Sequence, residues 1–430
     1  MENTAQTVYN TNTTESSSAG NNLSAEMKTY YEKRLIDIAE PKLVHDQFAD
    51  KYPIPQGSGK TIEFRRYDSL EKAKKPITEG VTPTGNNLNV SALTETVMQY
   101  GDWVQLSDML EMSAVDNNVL QATRLLGAQA GRTLDSITRD VLAGGTNVLY
   151  APDTADTSGK EIRTRGEINE NCRLTADLIF RAAAQLKGMN ADPIDDKYVA
   201  IIHPYVAYDL MRSEEWIDAH KYATPENIYA GEIGRLAGVR FVESTEAKIF
   251  RGEDLTENAR SLTVSAYTAS ASAAAAEGEA SAYMITVSEE IDEAHAKKLV
   301  GGKVLLKDTS ANTYETASVK GVNHTSGQIF LSEAPSFTPA SGDMVHPAGG
   351  GSDGISVFAT IVLGAHAYAV TELEGGGLTH IVKQLGYGDD PLNQRSSVGW
   401  KAAKCAKRLV EQYMVRIESA STYSKNAAAN

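Results

Sequence analysis

The segment Gly57-Ser58-Gly59-Lys60-Thr61 ends like a phosphate-cradling loop, in which backbone N–H groups and a lysine hold phosphate at a helix N-terminus. That chemistry needs a further glycine five residues before Gly59, where Ile54 stands followed by Pro55, and a helix after the Lys-Thr pair. Ile62-Glu63-Phe64 alternates like a strand instead, so nucleotide binding is not expected. Glu289, Glu290, Asp292, Glu293 and His295 could offer oxygen ligands to a hard cation. They lack the alternating Asp/Asn and glycine of a calcium loop, and a solvated helix face accounts for them. His203-Pro204 ends an apolar run, a place where α/β folds carry active-site groups, but no serine or cysteine in an elbow context lies nearby. His220, His324, His346, His366 and His380 show no metal-ligand spacing. Cys172 and Cys405 are far apart, which argues against a disulfide framework or structural zinc. The chain is therefore read as a non-enzyme without catalytic residues, cofactor or metal, and its signal is architectural.

The strongest architectural element is residues 115–145. Val119, Thr123, Leu126, Ala130, Leu134, Ile137 and Val141 recur at three- and four-residue steps and fall on one stripe of a helix. Asp116 or Asn117 can cap its start, and Gly144-Gly145 ends it. At 1.5 Å per residue this predicts a rod of roughly 40 Å. The opposite face carries Arg124, Arg132, Asp135, Arg139 and Asp140, a mixed-charge surface expected to meet solvent or another subunit. Gly127 and Gly131 mark where a second segment can approach closely.

The 430 residues allow two or three domains with real cores. A formal charge of -15 argues against binding nucleic acid by phosphate neutralisation. The first residues have neither a basic nor an apolar region of a secretory signal, and no apolar run reaches the ~18 residues of a membrane span. A reducing cytoplasm, or release by lysis, is the expected setting.

In chain order, residues 1–24 are rich in Asn, Thr and Ser and read as a mobile arm, followed by a short amphipathic helix ending before Pro41. Residues 61–67 and 88–106 read as two strands of an extended hairpin whose tip carries Lys72, Lys74 and Lys75. Such a ribbon is at best marginally stable alone, so either its own domain or a neighbouring chain should cover it. After the rod come a polar connector (151–169), a helix over 175–188, a central strand over 198–203 and a helix from Pro204 to Trp216. Residues 231–245 read as a short helix, a glycine turn and a strand. These form a compact α/β unit, resumed at 355–362 and 365–370. Between them, 252–352 reads as an inserted, mostly β module with strands near 303–306, 316–322 and 328–331 and a helical fragment at 289–299. Over 397–422 periodicity leaves helix and paired strands both open.

This layout resembles the Hong Kong phage-type capsid fold of tailed bacteriophages, and more narrowly the major capsid proteins typified by phage N-four. The residues that carry the likeness are Gly59-Lys60-Thr61-Ile62-Glu63-Phe64, Ile77-Thr78-Glu79-Gly80-Val81-Thr82-Pro83 and Tyr100-Gly101-Asp102-Trp103-Val104-Gln105-Leu106-Ser107. Gly238-Val239-Arg240-Phe241-Val242-Glu243 and Asp390-Pro391-Leu392-Asn393-Gln394-Arg395-Ser396-Ser397-Val398-Gly399-Trp400 complete it.

The resemblance implies an α+β chain divided into an N-terminal arm (1–50) and an extended hairpin loop reaching over a neighbour (51–106). A peripheral domain (107–172 with 381–430) would hold the spine helix 116–143, an axial domain would take 173–251 with 353–380, and 252–352 would be a β-rich insertion. It favours a β-hairpin for the tail. It implies a major capsid protein of a tailed double-stranded DNA phage, assembled in the host cytoplasm into hexamers and pentamers of an icosahedral virion shell. The partners are then other copies of the chain, a portal, and a scaffold or decoration protein. DNA is enclosed without sequence-specific binding, and no membrane is involved. Lys72, Lys74, Lys75, Arg132 and Arg139 become candidate intersubunit contacts. Some capsids of this fold form a Lys–Asn isopeptide, for which the tip lysines and Asn393 are candidates. Ion pairing of those lysines to an acidic neighbour is the favoured reading. An encapsulin-like nanocompartment shell is the alternative, followed by a β-rich adhesion or receptor-binding protein.

Overall fold

The computed structural model describes residues 44–430 except 56–58, 68–69, 71, 73, 75, 77–78, 81–84, 86, 114–117, 157–160, 214, 218–233, 257–260, 272, 312, 373–377, 384–391 and 393. The readings of residues 1–43 of the N-terminal arm with the first amphipathic helix, of the Asp116 or Asn117 cap, and of His220, Lys75 and Asn393 lie outside the described residues.

A central sheet is built around Val357–Leu363, every residue of which is buried. Tyr198–Ile202 and Met414–Ser419 flank it antiparallel. Val239–Glu243 continues the sheet parallel to the first, and Val148–Tyr150 parallel to the second. Neighbouring side chains on a strand point to opposite faces. Ala200 and Ile202 therefore pack with Leu178 and Leu186 of helix Ala176–Gly188 and with Val206 and Leu210 of helix Pro204–Met211. Ile201 packs on the other side with Leu142 from the end of the spine helix. Cover on both faces is why this strand reads as an unbroken apolar run.

The spine helix, Asn118–Ala143, spans 26 residues. Its first half lies across a second sheet organised by the 14-residue strand Arg395–Arg408. On one edge that strand pairs with Met98–Ser107, and on the other with Thr379–Lys383 and then Tyr368–Glu372. Leu126 and Ala130 of the helix meet Val398, Trp400 and Ala402, and the Trp400 indole N–H donates to Gln129 Oε1 at 3.3 Å. Two arginines close the far end of the helix. Arg408 donates to the Val141 carbonyl and Arg416 to those of Ala143 and Gly145. They place positive charge on the negative end of the helix dipole.

Residues 262–347 form a closed barrel. Leu262–Thr268, Tyr283–Val287, Gln328–Leu331, Thr313–Asn323, Lys303–Asp308 and Met344–Pro347 pair antiparallel in that order, and the last returns to the first. Val264, Ile285, Val304, Leu306, Val319, Ile329 and Val345 fill it. Closure leaves none of these six strands with a long open edge. Helix Glu293–Leu299, the short remnant of the fragment expected at 289–299, is capped by Asp292, which accepts from the His295 N–H.

Several expectations are corrected. The return strand of the hairpin does not run unbroken. Val90–Thr96 pairs with Thr61–Tyr67, and after the buried Val97 the chain changes partner and pairs with the tail strand. Two strands occupy the tail, but they do not form a hairpin: Arg395–Arg408 and Met414–Ser419 belong to different sheets. Tyr368–Glu372 joins the tail strand instead of the central sheet. Where a helix was expected before Gly238, Arg235–Leu236 and Val239–Glu243 pair around Ala237 and Gly238, both at positive φ, as a tight hairpin turn requires. The helix after Pro204 breaks after Met211, and Trp216 belongs to a separate helical stretch.

Asp135 and Arg139, placed by spacing on the open face of the spine helix, are buried at 1 % and 4 % exposure. The last third of the helix is wedged between the leading segment around His45 and the loop around Glu246. The buried surface widens there to include paired charges that an apolar stripe does not reveal.

Candidate assembly surface

Among the described residues, the hairpin is anchored near its base. Ile62 packs with Ile54, Val97 and Cys405, the Phe64 and Tyr52 rings meet edge to face at 5.6 Å, and Lys407 Nζ reaches Glu95 Oε2 at 2.8 Å. Further out, Tyr67, Leu70, Leu88 and Val90 are exposed. The tip lysines Lys72 and Lys74 are exposed too, linked by a backbone hydrogen bond from the Lys74 N–H to the Lys72 carbonyl. An outlying ribbon with apolar side chains in water is a surface that needs a partner.

A second exposed surface lies on the tail-strand sheet, on the face away from the spine helix. Register puts Gly399 opposite Trp103 on one neighbouring strand and opposite Ile381 on the other. Trp103 is 62 % exposed and Ile381 37 %. A Cβ on Gly399 would stand 2.9 Å from that of Trp103, so the glycine leaves room for the indole. Asp102 fixes the same strand. It accepts from the Gln129 amide at 2.7 Å and from the Trp103 N–H at 2.8 Å, and these bonds, the first being the larger, hold its carboxyl below the usual range. The strand Met98–Ser107 has no further strand on its outer edge among the described residues. On the spine helix, Leu120, Leu125 and Arg132 are exposed, and nothing lies within 4 Å of where a Cβ on Gly127 would be.

The structure therefore leaves Lys72, Lys74 and Arg132 on the surface and turns Arg139 inward. Arg139 pairs with Asp140 at 3.1 Å and Glu246 at 3.6 Å. Sequence reasoning missed the Trp103–Gly399–Ile381 row, because its members meet only through the register of three strands. It also missed a buried polar set under the spine helix. The His45 ring nitrogen lies 2.7 Å from Asp135, and Asp46 takes bonds from Lys404 and Thr138.

His203 and His346 are both buried. His203 caps helix Pro204–Met211, its Nδ1 accepting from the Tyr205 N–H at 3.1 Å, and burial pushes its pKa down to about 4. Ser261, His346 and Asp353 stand in a string, at 2.7 and 3.5 Å, with Asp353 open to water and His346 fully buried at the root of the barrel. Burial likewise lowers its pKa to about 4, against the Asp353 carboxylate. Among the described residues no group of His, Cys, Asp and Glu could hold a metal ion, and no helix is long and apolar enough to cross a membrane.

The fold is similar to solved phage capsids. The capsid of cyanophage P-SCSP1u is 14% identical, with a TM-score of 0.52 over 94% of this chain and 96% of that one. The cyanophage Pam1 capsid is 13% identical, with a TM-score of 0.51 over 92% and 98%. The capsid of Ralstonia phage GP4 is 12% identical, with a TM-score of 0.50 over 96% and 100%. At such identities the likeness speaks for the fold alone. No curated protein matches the sequence. The family described as phage capsid protein matches residues 69–288, just over half of the chain and including the hairpin tip, the spine helix and strands Tyr198–Ile202 and Val239–Glu243. The chain belongs to the phage capsid protein family.

Proposed function

We infer that the protein is the major capsid protein of a tailed double-stranded DNA phage, self-assembling into the hexamers and pentamers of an icosahedral shell. Family membership carries this reading and favours it over a nanocompartment shell. The surface agrees with it: the hairpin and the Trp103–Ile381 row leave large apolar side chains in water. In the Hong Kong-type layout the hairpin of one subunit lies over its neighbour, and contacts between unlike patches repeat until the shell closes. The spine helix with the tail-strand sheet takes the peripheral role, the central sheet the axial role, and the barrel stands as an insertion. The narrower likeness to the phage N-four capsid proteins rests on the sequence motifs. Lys72, Lys74 and Arg132 are the contact residues in this reading, and a portal and a scaffold or decoration protein are the further partners. The acidic balance of -15 suits a container that holds DNA without gripping it.

Electron microscopy of the purified protein, alone and from virions, tests the reading. Closed shells or capsomers are expected, and soluble monomers under every assembly condition, with no shell in virions, would overturn it.

A further inference from the structure

The chain enters the barrel after Arg251 and leaves it before Ser356, and the two connections touch. A Cβ on Gly252 would stand 2.4 Å from the Cβ of Pro347, and Leu262 pairs with Val345 where the barrel begins. Residues 425–430 run across this neck without helix or strand of their own. Arg251 donates to the Asn426 carbonyl at 3.0 Å on the incoming side. Ser356 donates on the outgoing side, its N–H to the Lys425 carbonyl at 2.9 Å and its hydroxyl to the Ala427 carbonyl at 2.7 Å. Asn430 then imitates a neighbouring strand. Its Oδ1 accepts from the Ile249 N–H and its Nδ2 donates to the Ala247 carbonyl, both at 2.9 Å.

We propose that residues 424–430 are a strap that fixes the orientation of the barrel on the central sheet, and that displacing the strap frees the barrel to move on its neck. The strap touches both connections at once, which a segment serving only the central sheet need not do. It is held by hydrogen bonds and the exposed Lys425–Glu170 ion pair, with Ala427 half-buried against the central core and Ala428 and Ala429 exposed, so little apolar surface secures it. Segments held in this way open at far lower free energy than the core. Among the described residues, the barrel meets the central body through residues 165–167, where Leu305 packs on Gly166 and strand Thr313–Asn323 comes close, while Lys307 Nζ lies 3.7 Å from Asp353. The barrel itself needs nothing from the strap, because its own core and closed strand ring hold it together.

Hydrogen exchange followed by mass spectrometry on the full chain and on a chain ending at Tyr423 tests this. The expected result is exchange faster by about tenfold or more in peptides covering 251–262 and 344–356, with Lys303–Asp308 and Val357–Leu363 as protected as before. Unchanged exchange at the neck would overturn the proposal. So would loss of protection throughout Val357–Leu363, which would make the strap part of the core. Asn430→Ala in the full chain provides the second arm should the shortened chain not fold. A smaller rise confined to the same neck peptides supports the strap, and no rise there refutes it.

Discussion

Arg139 Nη1 donates to the Glu246 main-chain carbonyl at 3.2 Å and lies 3.6 Å from the Glu246 carboxylate, joining the spine helix to the loop after Val239–Glu243. At 4 % exposure its charge is held out of water and depends on those partners. Reversing it sets like charges against each other where solvent cannot screen them. Arg139→Glu is expected to cost about 3–5 kcal/mol or to prevent folding, as breaking a buried pair does. Arg132→Glu, on the exposed face, should leave stability within about 0.5 kcal/mol and lower assembly yield. Urea denaturation of both variants separates the two effects, and equal stabilities would refute the distinction.

The row across Gly399 gives the converse case. Trp103 is open to water, so Trp103→Ala should hardly alter subunit stability but should reduce assembly, read by sedimentation. Gly399→Val would force a side chain to within 2.9 Å of Trp103 Cβ and 3.1 Å of the Asp102 carbonyl. A loss of about 1–3 kcal/mol is expected, as for overpacking elsewhere. A Trp103→Ala chain that assembles like the parent would show that the exposed indole has no part in the shell.

How far the sequence could be read depended on how local the determining contacts are. Helix Ala176–Gly188 and strand Gln328–Leu331 were legible because the residue pattern of each and the glycine at its end, Gly188 or Gly327, lie within one short window. The tail was not, because Arg395–Arg408 is buried on both faces over part of its length and loses the alternation that marks a strand. Closure of the barrel depends on Leu262–Thr268 meeting Met344–Pro347 far along the chain, which no window of sequence contains. Arg139 misled because a charged residue at helical spacing reads as a solvated face, while its partner at 246 lies more than a hundred residues away. For the assembly surface, the hairpin and its lysines were visible in the sequence, whereas the Trp103 row needed the register.

Two buried histidines set an acid limit. The pKa values of His203 and His346 are pushed down to about 4 in the folded chain by burial, against an ordinary value of about 6.5. The unfolded chain therefore binds more protons between those values, so stability is fully present above about pH 6.5 and falls as pH drops toward 4. Melting temperature should be level near neutrality and decline through that window. His203→Asn keeps an acceptor for the Tyr205 N–H but cannot titrate. It should lower stability at pH 7.5 and make the decline shallower, and an unchanged slope would remove His203 from the account.

The hairpin supplies the most direct test of assembly. Its strands pair with each other through seven residues each, and its base is tied to the tail strand by Lys407–Glu95 and the cluster around Val97. Among the described residues, the packed cores of the central sheet and of the barrel include none from the tip. Removing residues 69–86 and joining the strands by a short turn should thus leave melting temperature and near-ultraviolet circular dichroism close to those of the parent. The covering apolar surface and the tip lysines would be lost together, so stable capsomers should not form. Normal shells from this deletion would show that the hairpin does not reach a neighbour, whereas an unfolded subunit would show that its strands belong to the subunit's own core.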